Sequence, residues 1–461
     1  MSQRFHPFPY QKQGIRFIEK HTACALFLPC GAGKSAITLS AICNLRREGQ
    51  ARRVLITAPK CVIETSWVDE IDKWSHTAGL TKKVLTPPDI KKKDLGDAVL
   101  TLVSRDSLPS LVKALDGQMP YDMIVLDELS GFKNSLSKRW HAANTLCQAA
   151  DRVVGLTGTP APKGYVDLWA QIYLLDEGFR LGGCLEQFKY QWLYPTEFYN
   201  DRPTKWDMTP AKKERFDRDL EPIVMSIPRQ KLQGLPPINI IDVAAALPSG
   251  AQKSYGKLKK NGFATINGSY IEACDREVLV GKLKQVASGQ IYDDECGKRV
   301  VRKIHTAKKK ALEGILEGTG GEHAIVFVWY NHEIDVVLDV CEKLGKKAVI
   351  CMGEASIHAW NRGEIDVLIC QPKSSAYGLN LQAGGHIAIW YTLPNFDSEL
   401  YHQGNARIWR TGQKDPVTIY RIIAPGTIDE QELAVIEQRQ DMQQALIESI
   451  SEKNSTCDIA A

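Results

Sequence analysis

The stretch Leu28-Pro29-Cys30-Gly31-Ala32-Gly33-Lys34-Ser35 joins a short apolar run, Cys24–Leu28, to a helix-forming run, Ala36–Ile42. A strand that passes through a glycine loop into a helix is a common setting for phosphate binding. Leu28 stands where the full phosphate-loop pattern has its first glycine, so an ordinary glycine turn before a helix is the alternative. The stretch predicts an α/β fold with this loop at the carboxyl end of a strand.

The residue types in this loop suit a phosphate ligand and its metal. Gly31 and Gly33, with Ala32 between them, let backbone N–H groups turn toward phosphate oxygens at the positive end of the helix dipole. Lys34 can reach the β- and γ-phosphates, and the Ser35 hydroxyl can ligate Mg²⁺. The loop is therefore a candidate triphosphate site.

The composition is ordinary for a globular protein of two or three domains. The 461 residues are 44% hydrophobic and 24% charged, unlike a disordered or fibrous chain. No stretch approaches the roughly 20 apolar residues of a membrane span, and Met1–Tyr10 is polar and Pro-rich rather than a signal peptide. We expect a cytoplasmic protein without membrane association.

Charge and cysteine usage exclude some other classes. Lys and Arg total 58 against 54 Asp and Glu, so the net charge is +4 and any basic surface must be local. The 12 cysteines form no Cys-x-x-Cys pair, which predicts neither a zinc site nor a disulfide framework.

Two regions alternate short apolar runs with longer amphipathic segments, a pattern typical of a parallel sheet flanked by helices. In the first region the runs are Cys24–Leu28, Val54–Thr57, Ala98–Val103, Met123–Leu126 and Arg152–Leu156. In the second they are Ala324–Trp329, Ala348–Cys351, Val367–Cys370, His386–Trp390 and Val417–Ile422. Residues between about 165 and 300 show no strand rhythm, so we predict two α/β lobes separated by a mainly helical insertion.

An acidic pair, Asp127-Glu128, ends the apolar run Met123–Leu126. Ligands of open α/β sheets bind at the carboxyl ends of the strands, where the loop of Lys34 would also lie. Asp127 would hold Mg²⁺, and Glu128 would orient and deprotonate the attacking water. A solvated acidic loop is the alternative for the pair taken alone.

The order of these motifs resembles the superfamily-two helicases, and within them the Swi/Snf-type DNA translocases. Phe8-Pro9-Tyr10-Gln11 looks like the family's glutamine motif, which implies that Gln11 binds the adenine edge of ATP. Leu126-Asp127-Glu128-Leu129-Ser130 is similar to its Asp-Glu box, with Leu129-Ser130 departing from the commoner Ala-His. Thr57-Ala58-Pro59-Lys60 and Leu156-Thr157-Gly158-Thr159-Pro160 resemble two further motifs.

The second lobe carries the more specific resemblance. Gln403 to Gln413 (QGNARIWRTGQ) closely resembles the family's last helicase motif. The resemblance implies that Arg407 and Arg410, three residues apart and expected on one helical face, stabilise charge at the γ-phosphate. Tyr377 to Gln382 (YGLNLQ) looks like the preceding motif, in which Gly378 would approach the nucleotide and Asn380 would bond across the cleft.

The resemblance also sets the expected domains and the nucleic-acid contacts. It implies RecA-like lobes at 1–165 (ATP-binding) and 301–428, a family-specific helical insertion and linker at 166–300, and a C-terminal helix and tail at 429–461. The expected contacts with the DNA backbone are Pro59, Lys60, Lys133, Thr159 and Asn380.

A basic run, Lys298–Ala311, could add sequence-independent affinity for phosphates. Its seven cations are Lys298, Arg299, Arg302, Lys303, Lys308, Lys309 and Lys310. A solvated linker face is the alternative for any single member. No base-reading motif is visible, so we expect recognition of backbone and shape.

The sequence thus predicts an ATP- and Mg²⁺-dependent translocase on double-stranded DNA, without sequence specificity and acting as a monomer. The alternatives are a strand-separating DNA or RNA helicase of the same superfamily, a non-hydrolysing nucleic-acid-binding module, and a phosphotransferase using the same loop. The compact length resembles bacterial or phage-encoded members, which implies a bacterial or infected-host cytoplasm.

Overall fold

The computed structural model describes residues 3–87, 90, 95, 97–199, 201–266, 269–273, 275–295, 298–375 and 380–457. The chain divides into two compact units. The first comprises residues 1–233 and 439–461, and the second comprises residues 234–438.

The first unit is built on a parallel sheet with helices around it. Its strands are β1 Ala23–Phe27, β2 Val54–Ala58, β3 Lys82–Leu85, β4 Leu100–Ser104, β5 Met123–Asp127, β6 Arg152–Thr157, β7 Tyr194–Tyr199, β8 Arg202–Asp207 and β9 Val224–Ser226. Its helices are α1 Pro9–Lys20, α2 Lys34–Arg47, α3 Lys60–Val62, α4 Val68–Lys73, α5 Leu108–Leu115, α6 Lys138–Gln148, α7 Val166–Asp176, α8 Leu185–Trp192 and α9 Pro210–Leu220.

Seven of these strands pair in parallel in the order β3-β4-β2-β5-β6-β1-β9. Strands β2, β5 and β6 are buried along their whole length, as expected for apolar strands covered on both faces. The carboxyl ends of β1, β5 and β6 therefore lie at one edge, and the loops that follow them share it.

The second unit repeats the design with a six-stranded sheet. Its strands are β10 Ile238–Ala244, β11 Phe263–Ile266, β12 Ser269–Glu272, β13 Gln290–Glu295, β14 Lys298–Lys303, β15 Ala324–Phe327, β16 Ala348–Ile350, β17 Val367–Cys370, β18 Ile387–Trp390 and β19 Val417–Ile423. Its helices are α10 Ser249–Asn261, α11 Arg276–Ser288, α12 Ala307–Gly318, α13 Asn331–Lys343, α14 Gly353–Asn361, α15 Pro372–Ser375, α16 Ser398–Asn405 and the first part of α17 Ile428–Cys457.

This second sheet is also parallel, in the order β10-β19-β18-β15-β17-β16. The predicted class, an α/β protein with two parallel-sheet lobes, is confirmed. Each of the ten apolar runs of the sequence overlaps a strand of one sheet or the other, with ends that differ by a few residues.

Region 166–300, expected to be mainly helical, also contains strands. β9 pairs with β1 and so belongs to the first sheet, and β10 pairs with β19 and so belongs to the second sheet. Three antiparallel hairpins, β7-β8, β11-β12 and β13-β14, lie outside those sheets. Strand β8, for example, is almost wholly exposed, so it lacks the apolar run from which a strand can be predicted.

The basic run near residue 300 is not one continuous solvent-facing stripe. It is divided between β14 and α12. Lys308 is only 1% exposed and its Nζ lies 2.7 Å from Asp429 Oδ2. Lys309 pairs with Asp339, and Arg302 pairs with Asp293. Protein carboxylates thus already pair with these three cations, and for the buried Lys308 a partner is needed because an unpaired charge is costly to bury.

Helix α17 is the longest of the described helices, and it contributes residues to both units. Its C-terminal residues Leu446 and Ile450 are fully buried in the core of the first unit. Across the described residues, α17 included, no helix has the length and apolar character needed to cross a membrane.

Candidate active site

The loop after β1 adopts the backbone conformation that its glycines permit. Gly31 and Gly33 have φ angles of 85° and 79°, in the left-handed region that other residues rarely adopt. A Cβ atom at Gly33 would lie 2.6 Å from Gln11 Nε2. The second glycine is therefore required both by its own φ angle and by the close approach of Gln11.

Gln11 is held against this loop. It is 5% exposed, and its Nε2 donates to the carbonyl oxygen of Ala32 at 3.1 Å. Its Oε1 accepts from the backbone N–H of Phe8 at 2.9 Å, which fixes the orientation of the side-chain amide. The Tyr10 hydroxyl also donates to Ala32 O, at 3.2 Å.

Lys34 lies at the start of α2 and folds its side chain back along the loop. Its Nζ donates to the carbonyl oxygens of Leu28 at 3.0 Å and Pro29 at 3.4 Å. Both the ammonium and the N-terminal N–H groups of α2 are thus placed at the loop, where an anion would be stabilised. Ser35 follows as the second residue of the helix.

Asp127 ends β5 in a nearly dry environment. It is 6% exposed, and its Oδ2 accepts from Trp67 Nε1 at 2.8 Å while Oδ1 accepts from the backbone N–H of Glu128 at 2.9 Å. Burial raises the pKa of Asp127 above its ordinary value, and the charge of Lys34 and the Trp67 bond oppose that rise. Lys34 and Asp127 therefore act on each other, as one active site requires.

Glu128 has a strained backbone, with a φ angle of 52° in a residue that is not glycine. It is 9% exposed and directly precedes the short 3₁₀ helix Leu129–Phe132. Strain of this kind costs about 1 kcal/mol or more and is often found at functional sites, where it aims a side chain. The role of Glu128 as the base beside Asp127 stays a prediction.

The end of β6 packs against the same loop. A Cβ atom at Gly158 would lie 3.0 Å from Cys30 Sγ and 3.1 Å from Cys30 N, so glycine permits this close contact. Thr159 is 3% exposed, and its backbone N–H donates to Thr157 Oγ1 at 3.1 Å. The strand ends that hold Lys34, Asp127 and Thr157 are thus adjoining parts of one site.

Two residues of this site were not singled out for it from the sequence. Trp67 ends a π-helical turn, Ile63–Trp67, and its fully buried indole reaches Asp127. Arg105 follows β4, and its charge also lowers the pKa of Asp127. Trp67 follows Thr57–Lys60, a segment that resembles a helicase motif, but that resemblance concerns nucleic-acid contacts and does not indicate a bond to Asp127. The position of Arg105 after an apolar strand was a signal that could have found it.

The oxygen atoms at this edge fit a magnesium ion with a triphosphate. The Asp127 carboxylate and the Ser35 hydroxyl are hard oxygen donors, the type that Mg²⁺ prefers. A Mg²⁺ ion that is also bound by the phosphates of the nucleotide needs only one or two protein ligands. No cluster of three or more His, Cys, Asp or Glu ligands occurs among the described residues.

In the second unit, the expectation of two arginines on one helical face is wrong. Helix α16 ends at Asn405, and Arg407 and Arg410 lie in the turns that follow. The backbone N–H of Arg407 donates to Gly404 O at 3.1 Å, three residues back, which is the spacing of a 3₁₀ turn and not of an α-helix. Arg407 is 7% exposed, and its Nε donates to Gln403 O at 2.9 Å.

The flanking glutamine Gln413 has a structural role. Its Nε2 donates to Gln382 O at 3.0 Å and to Gly385 O at 3.1 Å. These bonds connect the segment that contains Arg407 and Arg410 to the chain at Gln382 and Gly385. Gly378 lies outside the described residues.

Comparison with known proteins decides the family. The profile of the SNF2-related domain matches residues 10–287, more than half of the chain. The chain belongs to the SNF2-related family. It is accordingly a DNA-dependent ATPase of helicase superfamily two, which confirms the predicted enzyme class.

SNF2-related relatives occur in very different organisms. Protein p41 of Acyrthosiphon pisum secondary endosymbiont phage 1 is 30% identical over 97% of this chain and 99% of its own length. The human DNA repair and recombination protein RAD54B is 23% identical over 98% of this chain. The chain spans only 56% of RAD54B. A solved Sulfolobus solfataricus SWI2/SNF2 ATPase core in complex with dsDNA is 19% identical, with 98% and 96% of the two chains covered and a TM-score of 0.44.

The predicted DNA contacts of this SNF2-related chain differ in their exposure. Lys60 and Asn380 are exposed, and Lys60 Nζ lies 3.7 Å from Glu64 Oε1. Lys133 is half-buried, whereas Pro59 and Thr159 are buried. Side chains at Lys60 and Asn380 can therefore meet a partner directly, and Pro59 and Thr159 would need backbone atoms or a rearrangement to do so.

Proposed function

We propose that this SNF2-related protein is an ATP-dependent translocase on double-stranded DNA, acting as a monomer in a bacterial or infected-host cytoplasm. The observation that carries the ATPase part is the placement of the phosphate loop with Lys34 and of the buried Asp127 at the same edge of one parallel sheet. The phage relative p41 supports the setting.

The chemistry of the first unit follows from its groups. Lys34, Gly31 and Gly33 bind the phosphates, and Gln11 binds the adenine edge. Ser35 and Asp127 would hold Mg²⁺, which supplies charge neutralisation at the phosphates. Glu128 orients the attacking water and takes its proton. Asp127 is kept in place by hydrogen bonds from the Trp67 indole and from the backbone N–H of Glu128, so it needs little reorganisation.

Arg407 and Arg410 of the second unit are proposed to contact the γ-phosphate in a closed state, in which the two units come together around ATP. A guanidinium can form two parallel hydrogen bonds with phosphate oxygens, which the ammonium of lysine cannot. ATP would then bind the closed state more tightly than ADP, because only ATP has a γ-phosphate to contact. Such differential binding is what converts hydrolysis into a population shift.

Movement along DNA would follow if each unit binds a different stretch of backbone during this cycle. Lys60 and Lys133 in the first unit and Asn380 in the second are the proposed contacts that reach the surface at least partly. Contacts with phosphates carry no sequence information, so the movement should not depend on sequence. The name of RAD54B, a DNA repair and recombination protein, is consistent with DNA as the track.

Three proteins test the ATPase assignment: wild type, Lys34→Ala and Glu128→Gln. Wild type should hydrolyse ATP faster with duplex DNA than without it. Lys34→Ala should lose nucleotide affinity, and Glu128→Gln should bind ATP normally but hydrolyse it at least about 100-fold more slowly, the usual effect of removing a general base. A Glu128→Gln protein that hydrolyses at the wild-type rate would exclude the assigned base.

Separate experiments test which nucleic acid the protein prefers and whether it moves along a duplex or unwinds it. ATPase stimulation is compared for duplex, single-stranded and forked DNA and for RNA, at two salt concentrations because backbone binding weakens with salt. A triplex-displacement assay detects movement on duplex DNA, and a strand-displacement assay detects unwinding. Displacement of a third strand without unwinding is expected, whereas unwinding would favour the helicase alternative.

A further inference from the structure

Arg229 emerges beside the phosphate loop, although it lies almost 200 residues further along the chain. Strand β9 pairs in parallel with β1, with Ser226 opposite Phe27. The pairing extends one residue further, because the backbone N–H of Ile227 donates to Phe27 O at 3.4 Å. The strands β1 and β9 therefore end at the same edge of the sheet, where β1 leads into the phosphate loop and β9 leads to Arg229.

The turn after β9 is fixed. Pro228, with a φ angle of −68°, precedes a 3₁₀ helix formed by Arg229–Lys231. Lys231 is exposed on this helix, whereas Arg229 is half-buried. The proline and the tight turn restrict the backbone of Arg229 next to the loop, so a contact made by this side chain needs little additional ordering of the backbone.

The guanidinium of Arg229 is close enough to the loop to interact electrostatically with Cys30. Burial lowers the pKa of Arg229 below its ordinary value. The group stays charged, because an arginine loses its proton only far above physiological pH. A partly desolvated cation beside a phosphate loop becomes more stable when an anion binds there.

The strand order indicates which end of the nucleotide this cation faces. In the order β5-β6-β1-β9, the reacting groups Asp127 and Glu128 and the end of β6 lie on one side of β1. Arg229 lies on the other side. The γ-phosphate must be near the carboxylates, so the opposite side of the loop is left for the part of the nucleotide that does not react.

We propose that Arg229 is a nucleotide-binding residue that contacts the diphosphate portion, the α- and β-phosphates, of the ATP held by the loop. This proposal rests on the proposed ATPase function. ATP and ADP share the contacted atoms, so the contact stabilises both to the same extent. An interaction of equal strength in ground state and transition state lowers KM without raising kcat.

The test uses Arg229→Met, Arg229→Lys and the control Arg218→Met. Arg218 is an exposed arginine of α9 in the same unit, paired with Glu214. Affinities for ATP and ADP with Mg²⁺ are measured by calorimetry, DNA-stimulated kcat and KM by steady-state kinetics, and folding by thermal denaturation. Loss of one charge-assisted contact should weaken binding about 10- to 100-fold.

For Arg229→Met, the expected result is the same fold loss of affinity for ATP and ADP, a raised KM and a nearly unchanged kcat. Arg229→Lys should recover part of the affinity, and Arg218→Met should match wild type. If Arg229→Met does not fold, Arg229→Lys provides the same comparison with a smaller loss.

Two results would overturn the proposal. Wild-type affinities in a folded Arg229→Met protein would show that the side chain does not touch the nucleotide. A loss confined to ATP, or a fall in kcat with ADP affinity retained, would place the contact at the γ-phosphate instead. Failure of the proposed function would be separate and visible, because wild type itself would then bind no ATP.

Discussion

His332 shows how the surroundings of one side chain control its protonation. The ring is 3% exposed and lies between Tyr292 and Tyr330, with centroid distances of 4.8 Å and 5.3 Å. Neither ring nitrogen has a hydrogen-bond partner among the described residues. Burial lowers the pKa of His332 to about 4, so the ring is neutral in the folded protein at neutral pH.

This residue should make stability sensitive to mild acid. The unfolded chain takes up a proton near pH 6.5 and the folded chain only near pH 4, so stability is lost as pH falls through that window. Between pH 7 and pH 5 the contribution of His332 to the free energy of unfolding should fall by about 2 kcal/mol. His332→Phe should remove most of that loss, measured by urea denaturation at both pH values.

The exposed histidine His141 provides the control for this measurement. His141→Phe should lose as much stability between pH 7 and pH 5 as wild type does. An equal loss in His332→Phe and wild type would contradict the account of this buried ring.

At the residue scale, sequence reasoning reached the groups that belong to a chemical pattern. The loop glycines, Lys34 and Asp127 were predicted from spacing and context, and Gln11 from the family resemblance. Trp67 and Arg105 were missed because their roles depend on which strands become neighbours. A sequence alone does not show that an indole will reach a carboxylate 60 positions away.

At the scale of elements, α17 is anchored by buried ion pairs in the second unit. Lys284 of α11 and Glu432 of α17 are both fully buried, with Nζ and Oε2 2.7 Å apart. Lys284 Nζ also donates to Leu393 O at 2.9 Å, and Glu432 Oε1 accepts from the backbone N–H of Phe396 at 3.0 Å. Each partner thus has a hydrogen bond to the backbone besides the ion pair, and such additional bonds help buried charges to be tolerated.

Removing one partner of this pair should be much more damaging than removing both. Lys284→Met leaves the Glu432 carboxylate buried without its cation and should cost about 3–5 kcal/mol of unfolding free energy. Lys284→Met combined with Glu432→Gln should regain most of that loss, since the glutamine oxygen can still accept from Phe396. Urea denaturation of both proteins measures the difference, and equal losses would contradict the pairing.

Prediction at the element scale succeeded where burial controls the pattern. Strands such as β5 and β17 are fully buried, so they read as apolar runs in the sequence. Edge strand β10 was missed because most of its residues are exposed. The end of α16 at Asn405 was also missed, because the tight hydrogen bonds that follow it have no composition signal.

At the scale of the whole molecule, the central claim is that residues of both units act on one triphosphate. The polypeptide passes from the first unit to the second after residue 233 and returns within α17 after residue 438. Lys34, Asp127 and Glu128 belong to the first unit, and Arg407 and Arg410 to the second. If the claim holds, a change in the second unit must slow chemistry on a nucleotide held by the first.

The most direct test is single-turnover hydrolysis of bound ATP by Arg407→Ala with saturating duplex DNA, with Arg407→Lys measured beside it. Arg407 is buried, so thermal denaturation must first show that each variant is folded. We predict nearly normal ATP affinity and hydrolysis slowed by roughly 10³-fold or more in Arg407→Ala, with little recovery in Arg407→Lys. Wild-type hydrolysis by folded Arg407→Ala would contradict the claim.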